Sequence, residues 1–268
     1  MYCLTLEPSH EKKIIDLNYI PVGLGIKKFS NNFLNDKSGV NISEKNSYYG
    51  EYTFHYWIWK NYLEKIKTEW VGFCQYRKFF IEEKADRKNI SFDQLKNISV
   101  SSIKYNTNDY DCILGSQFSV ENYKLMKIFK KHFFKFLSKP LVLFVKNKRT
   151  IKFHFDLFHG EGNLDHAIDL LNDEDKEDFR KFVNSKTSFN PHNMFICKTK
   201  LLNEYYEIVF PWLKKCEEIF GHKQLKGYGM QRIYGFLAER FLSYWFLKNY
   251  RVKELPIIVK DLSDYNVL

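Results

Sequence analysis

The chain has 268 residues and 32.3 kDa, with 44% hydrophobic and 18% aromatic side chains, which is enough to bury a large core and too aromatic to stay disordered. Twelve Gly and six Pro exclude collagen-like and low-complexity classes, and apolar runs such as Leu141–Val145 fall far short of the roughly 20 residues that span a bilayer. Forty-two Lys and Arg against 32 Asp and Glu leave a net charge of +10, so the expected partners are anionic: nucleic acid, anionic lipid or phosphorylated metabolites.

Five cysteines, with no pair at C-x-x-C spacing, each sit in apolar surroundings as buried thiols do. The opening Tyr2-Cys3-Leu4-Thr5-Leu6 runs straight into Glu7 and lacks the features of a signal peptide. These features predict a reduced, cytoplasmic protein.

In chain order, residues 2–6 read as a buried strand stopped by Pro8, and a helical stretch follows from about Ser9 to Leu17. Tyr19–Gly25 carries Pro21, Gly23 and Gly25, which makes it a strand and turn rather than a helix. Strand, helix and strand within 25 residues predict an α/β nucleotide-binding topology. Residues 30–46 form a long polar loop, a feature that in compact domains is usually functional. Gly50–Ile66 has helical spacing, and Trp70–Cys74 is a β-rich run ending in Gln75-Tyr76-Arg77-Lys78. Further strands are predicted at 111–114, 141–145, 151–155 and 194–197, and helices at 121–137, 164–171, 174–184, 199–219 and 228–248. With no repeat and no Ser/Gly-rich linker, a single domain over 1–268 with two lobes is expected.

Charge is unevenly placed. Ten basic residues and no acid lie between Lys124 and Lys152, with Met126, Phe129, Phe133 and Leu137 as an apolar stripe. That pattern suits a basic amphipathic helix on an anionic membrane, and equally a core-packing helix with a solvated lysine face. Residues 156–178 are acidic.

His154, His159 and His166 cluster near Asp156, Glu161 and Asp165, but their spacing matches no closed zinc pattern and ordinary loop polarity accounts for it better. The same loop, with Gly160 and Gly162, also suits general acid–base chemistry by His159 and Asp165. Asp109-Tyr110-Asp111 is a literal D-x-D, the triplet through which sugar-nucleotide transferases hold Mn or Mg, yet it precedes a strand instead of following one. No Walker loop, G-x-G-x-x-G or G-x-S-x-G is present. No nucleic-acid-binding motif accompanies the basic patch, so nucleic acid is not an expected partner; a non-catalytic or degenerate protein binding nucleotides or polyanions through residues 124–152 is the alternative.

The distinctive pattern is a series of short motifs: Asn41–Asn46, Tyr49-Gly50-Glu51, Tyr56–Asn61, Gly72–Lys78, Phe189–Phe195 and Gly235–Arg240. In this order they resemble the bacterial family catalogued as domain of unknown function 4422, glycosyltransferase-like proteins of capsule and surface-polysaccharide gene clusters. The resemblance spans nearly the whole chain. Where the family pattern reads His-Tyr-Arg-Arg, this chain departs at Gln75 and Lys78, which removes any role for an imidazole at 75. The resemblance implies a GT-A-like fold: a mixed, mainly parallel central sheet flanked by helices, with a helical C-terminal half. It implies transfer of a sugar from a nucleotide donor, a UDP-sugar first, to a glycan or lipid-linked glycan acceptor. Residues 1–115 would form the nucleotide-sugar half and 116–268 the acceptor half. Such a protein would work in the cytoplasm, at the inner face of the membrane if the basic stretch docks there.

The chemistry of the residues agrees. A departing diphosphate must be neutralised, and fixed cations do this where no metal does. Arg77 and Lys78 follow a strand, at the edge where open α/β sheets bind ligands. Asn41, Ser43, Lys45 and Asn46 offer polar groups to the donor, with Gln75 and Tyr76 alongside. Asn190, Asn193, His159 and Arg240 are expected in the sugar and acceptor pocket. Glu239 and Asp165 compete as the acceptor base, and an ion pair with Arg240 is the plainer reading of Glu239. Trp57 and Trp59 read as core.

Overall fold

The computed structural model describes residues 1–82, 85, 90–103, 109–121, 141–222 and 225–265. The expected opening is present: β1 (Tyr2–Thr5), α1 (Glu11–Asp16) and β2 (Ile20–Gly23). The polar 30–46 stretch holds a short β3 (Leu34–Asn35) and one 3-10 turn over Ser43–Lys45. α2 (Asn46–Tyr49) and α3 (Tyr52–Trp57) follow, and the helix expected to run to 66 instead loosens into a π turn over Ile58–Tyr62. Next come β4 (Trp70–Gln75), β5 (Lys78–Phe80), α4 (Phe92–Ile98), β6 (Cys112–Gly115) and β7 (Phe118–Ser119). The C-terminal part supplies α5 (Leu141–Phe144), α6 (Ile151–His159), α7 (Asn163–Asp169), α8 (Asp173–Ser185), β8 (Ser188–Phe189), β9 (Phe195–Lys198), α9 (Leu201–Phe220), α10 (Tyr228–Gln231), α11 (Ile233–Asn249), β10 (Val252–Leu255) and β11 (Ile257–Val259).

Seven strands form a path β10-β6-β9-β4-β1-β2-β3, and β5 joins its antiparallel partner β11 to β4. Neighbours are parallel except at β9, which runs against both β4 and β6. Strands from both ends of the chain therefore share one sheet. Its two faces bury different cores. Tyr2, Leu4, Phe73, Cys112 and Phe195 pack beneath the C-terminal helices, whereas Cys3, Cys74, Ile113 and Ile196 pack on the opposite side. Burial on both faces explains why these strands read as short continuous apolar runs without alternation. All five cysteines are buried free thiols.

Residues 141–144 and 151–159 are helical, not the predicted strands. A short apolar run does not by itself distinguish the two states. In α6 the Thr150 hydroxyl accepts from the Phe153 amide, Lys152 pairs with Asp156 one turn on at 2.7 Å, and Ile151, Phe155 and His159 are buried at helical spacing. The helix expected at 121–137 lies outside the described residues apart from Glu121. Just past it, Leu141 and Phe144 are 59% and 82% exposed. Among the described residues no helix is long and apolar enough to cross a membrane.

The parallel strands end together at Thr5, Gly23, Gln75, Gly115 and Leu255, and the turn leading into β9 meets them there. The acidic triplet sits at the other edge, before β6. There Asp111 is held by Lys198 at 2.8 Å and Arg251 at 3.0 Å, and hydrogen bonds from Arg251 and Lys198 keep its carboxyl well below the usual range. Asp109 and Asp111 thus lie across the sheet from the carboxyl ends of the parallel strands, with Asp111 already paired to two cations. Among the described residues no group of three or more His, Cys, Asp or Glu is placed to hold a metal ion.

Candidate functional site

Two small hollows open at the carboxyl edge. They share four lining residues, Glu51, Gln75, Arg77 and Arg232, so they form one cleft with a polar waist. The first hollow is completed by the ends of β1 and β2, with Thr5 and Leu24, and by Asn46, Gly50 and Tyr76. The second is completed by Lys78, His192, Asn193, Gly235, Phe236 and Glu239.

The waist is a hydrogen-bonded chain. Gln75 Nε2 donates to Glu51 Oε1 at 2.7 Å and to the His192 carbonyl at 2.9 Å, and Lys78 Nζ donates to Gln75 Oε1 at 3.2 Å. An amide suits this place because it donates and accepts at once. Arg232 Nη2 approaches Glu51 Oε2 at 3.4 Å. Burial pushes the Lys78 ammonium down, Glu51 and Glu239 pull it back up, and Arg77 and Arg232 push it down again. Three cations and two carboxylates therefore sense one another across the cleft. Arg77 is exposed, lies over the Tyr76 ring at 5.5 Å, and has no carboxylate partner among the described residues. Glu51 is committed to Gln75 and Arg232, and no ion pair joins it to Arg77 among the described residues.

The second hollow rests on the 190–193 turn. His192 and Asn193 take φ of 83° and 54°, left-handed values that non-glycine residues hold only when surrounding contacts compensate. Those contacts are visible. Asn190 donates to the Gly115 carbonyl at 2.7 Å and accepts from Ser243 at 2.8 Å, Asn193 donates to the Gly235 carbonyl at 3.1 Å, and the His192 amide donates to Glu239 Oε1 at 2.5 Å. The other Glu239 oxygen takes the Arg240 guanidinium. Arg240 is only 2% exposed; it lies over the Phe189 ring at 4.1 Å and donates to His154 at 3.3 Å. Burial, reinforced by Arg240, pushes His154 down to about 2 and His159 to about 3, so both are neutral bases at pH 7.

Of the residues expected from sequence, Asn46, Gln75, Tyr76, Arg77, Lys78, Asn193 and Glu239 line the cleft. The others lie outside it. Asn41 folds back onto the Lys37 and Gly39 carbonyls and Ser43, and Lys45 pairs with Glu217 at 2.5 Å beside a separate groove under Trp59. His159 bonds the Gly229 carbonyl at 2.8 Å and stacks on Phe236, one layer behind the second hollow. Asn190 and Arg240 belong to the buried frame. Asp165 is paired with Lys152 at 2.7 Å and lies 3.9 Å from Arg180, so it does not line the cleft. Trp57 is buried, as the core reading expects, whereas Trp59 is partly exposed and stacks on Phe210 at 5.4 Å along the wall of that groove. Glu51 and Arg232 are the two charged cleft residues that sequence reasoning passed over. Glu51 had a signal, standing in the Tyr49-Gly50-Glu51 motif; Arg232, 181 positions away from it, had none.

A family model described as "Domain of unknown function (DUF4422)" matches residues 9–250. The fold is similar to that of the WbbM bifunctional glycosyltransferase in its apo structure, with a TM-score of 0.68 at 19% identity over 90% of this chain. This chain spans 42% of that one. No curated protein matches.

Proposed function

The chain belongs to the DUF4422 family, and we propose that it is a glycosyltransferase that moves a sugar from a nucleotide donor, first a UDP-sugar, to a capsular or other surface glycan. What carries this reading is the cleft itself. Arg77, Lys78 and Arg232 converge at the carboxyl edge of a sheet shared with a glycosyltransferase. They face two carboxylates across a waist that joins two hollows.

In this reading the first hollow, built largely from residues before 115, takes the nucleotide, and the second takes the acceptor. The acceptor oxygen attacks the anomeric carbon as the bond to the diphosphate breaks. The electron pair leaves with the diphosphate, where Arg77 and Lys78 neutralise it. The acceptor proton passes to a carboxylate at the waist. Glu239 has one oxygen on the His192 amide and the other on a buried arginine. Its part is to hold the turn. Glu51, with one oxygen committed to Gln75 and a long contact at the other, is the better base. A single displacement of this kind inverts the anomeric centre. Fixed cations at the diphosphate also make the reaction independent of Mn or Mg. Exposed Leu141 and Phe144 beside Lys146 and Lys148 favour a lipid-linked acceptor held at an anionic bilayer.

The test is release of nucleoside diphosphate from UDP-, GDP- and dTDP-sugars in EDTA, with and without glycan acceptors. Turnover of one donor class in EDTA is expected. Release from none of them, with or without manganese, would overturn the reading; release only with manganese would show that the neutralising charge is misassigned.

A further inference from the structure

Arg232 stands where the two hollows meet, at the end of a short helix, with its guanidinium 5.6 Å from the Tyr228 ring. Its carboxylate partner among the described residues is Glu51, at 3.4 Å, beyond the usual range of a good N–H to O hydrogen bond. The side chain of Arg232 is 25% exposed and that of Glu51 18%, so both reach the solvent of the cleft. The approach depends on Gly50. This residue has φ of 59°, and a Cβ there would stand 2.2 Å from Arg232 Nη2. The chain leaves a lane for the arginine beside Glu51 and holds it there by one long carboxylate contact and the Tyr228 ring.

A diphosphate in the first hollow offers Arg232 several charged oxygens in fork geometry, against one distant carboxylate oxygen. We propose that Arg232 is a latch shared between Glu51 and the donor: the donor diphosphate draws Arg232 away and frees Glu51 Oε2 toward the second hollow. The latch rests on the transferase reading and adds to it an order of events. Glu51 becomes able to accept the acceptor proton only once the donor is seated, so donor binding precedes productive acceptor binding. The Gln75 contact to Glu51 Oε1 keeps the carboxylate aimed while Arg232 moves.

A double-mutant cycle tests this with nucleoside diphosphates alone. Calorimetric titration of wild-type protein with UDP, GDP, dTDP and ADP identifies the tightest ligand, which is then titrated into Arg232→Ala, Glu51→Gln and the double variant, with Arg232→Gln as a second probe of the arginine. Removing the arginine is expected to weaken binding about tenfold or more, the size of one charge-assisted contact. Glu51→Gln should bind about threefold tighter, because the competitor for the arginine is gone. The double variant should match Arg232→Ala. Affinity in Arg232→Ala and Arg232→Gln equal to wild type overturns the latch and leaves the transferase reading standing. A Glu51→Gln effect that persists undiminished without the arginine also overturns it. A wild-type protein that binds none of the four overturns both.

Discussion

Arg77 is the residue on which the donor reading depends most. It follows the last residues of β4, lies over Tyr76 and has no acidic partner among the described residues, so the fold has little use for its charge. Arg77→Ala is expected to cost about 2–4 kcal/mol of transition-state stabilisation, roughly a hundredfold in rate. Its stability should stay within about 0.5 kcal/mol of wild type, as for other exposed substitutions. Rate assays paired with melting curves check both. Glu239→Ala should behave in the opposite way. It strips the counter-ion from Arg240, which is 2% exposed, and the His192 amide loses its acceptor. Breaking a buried pair from one side typically costs about 3–5 kcal/mol, so urea melts should show a large loss. A Glu239→Ala protein as stable as wild type would contradict its assignment to the frame.

At the level of elements, much of the architecture was legible. Continuous apolar runs at residues 2–6, 70–74, 111–114 and 194–197 became β1, β4, β6 and β9, because a sheet covered on both faces leaves no polar alternation to blur them. The long periodic stretches became α8 and α9 for the complementary reason, while α11 is buried on nearly every side. What misled was shortness. Residues 141–145 and 151–155 look like strands by composition, and only the Thr150 cap and the spacing of Phe155 and His159 mark the second as a helix. β3, β5 and β11 carry two or three residues, too few for a pattern to show, and β10 is interrupted by Lys253 and Glu254. Cleft residues were legible where they lie just past a strand, as Gln75 to Lys78 do. Lys45, Asn41 and Asp165 lie outside the cleft because they meet Glu217, the Lys37 and Gly39 carbonyls and Lys152, and local polarity says nothing about which partner a side chain will meet. α5 carries its own expectation. If exposed Leu141 and Phe144 dock an acceptor-bearing bilayer, changing both to Ser should release the protein from phosphatidylserine vesicles in a flotation assay and leave donor binding intact. Unchanged flotation would remove the membrane from the account.

For the molecule as a whole, buried imidazoles set the response to acid. Burial pushes His55 to about 3, and His154 and His159 reach about 2 and 3 in the layer behind the cleft. In the unfolded chain each titrates near 6.5. The folded state therefore binds fewer protons between those values, and stability is full above pH ~6.5 and falls as pH drops below it, by up to ~1.4 kcal/mol per pH unit for each histidine. A melting temperature flat between pH 7 and 5 would contradict that burial. Replacing His55 with an apolar residue of similar size should flatten part of the slope.

The central claim is that the cleft at the carboxyl edge binds a nucleotide sugar through its fixed cations, and calorimetric titration of donor into wild-type and Arg77→Ala proteins, in EDTA, tests it most directly. The account predicts saturable binding of one nucleotide-sugar class to the wild type, and at least a tenfold loss in an Arg77→Ala protein that melts at the wild-type temperature. Equal affinity in the two folded proteins would place the donor elsewhere and contradict it.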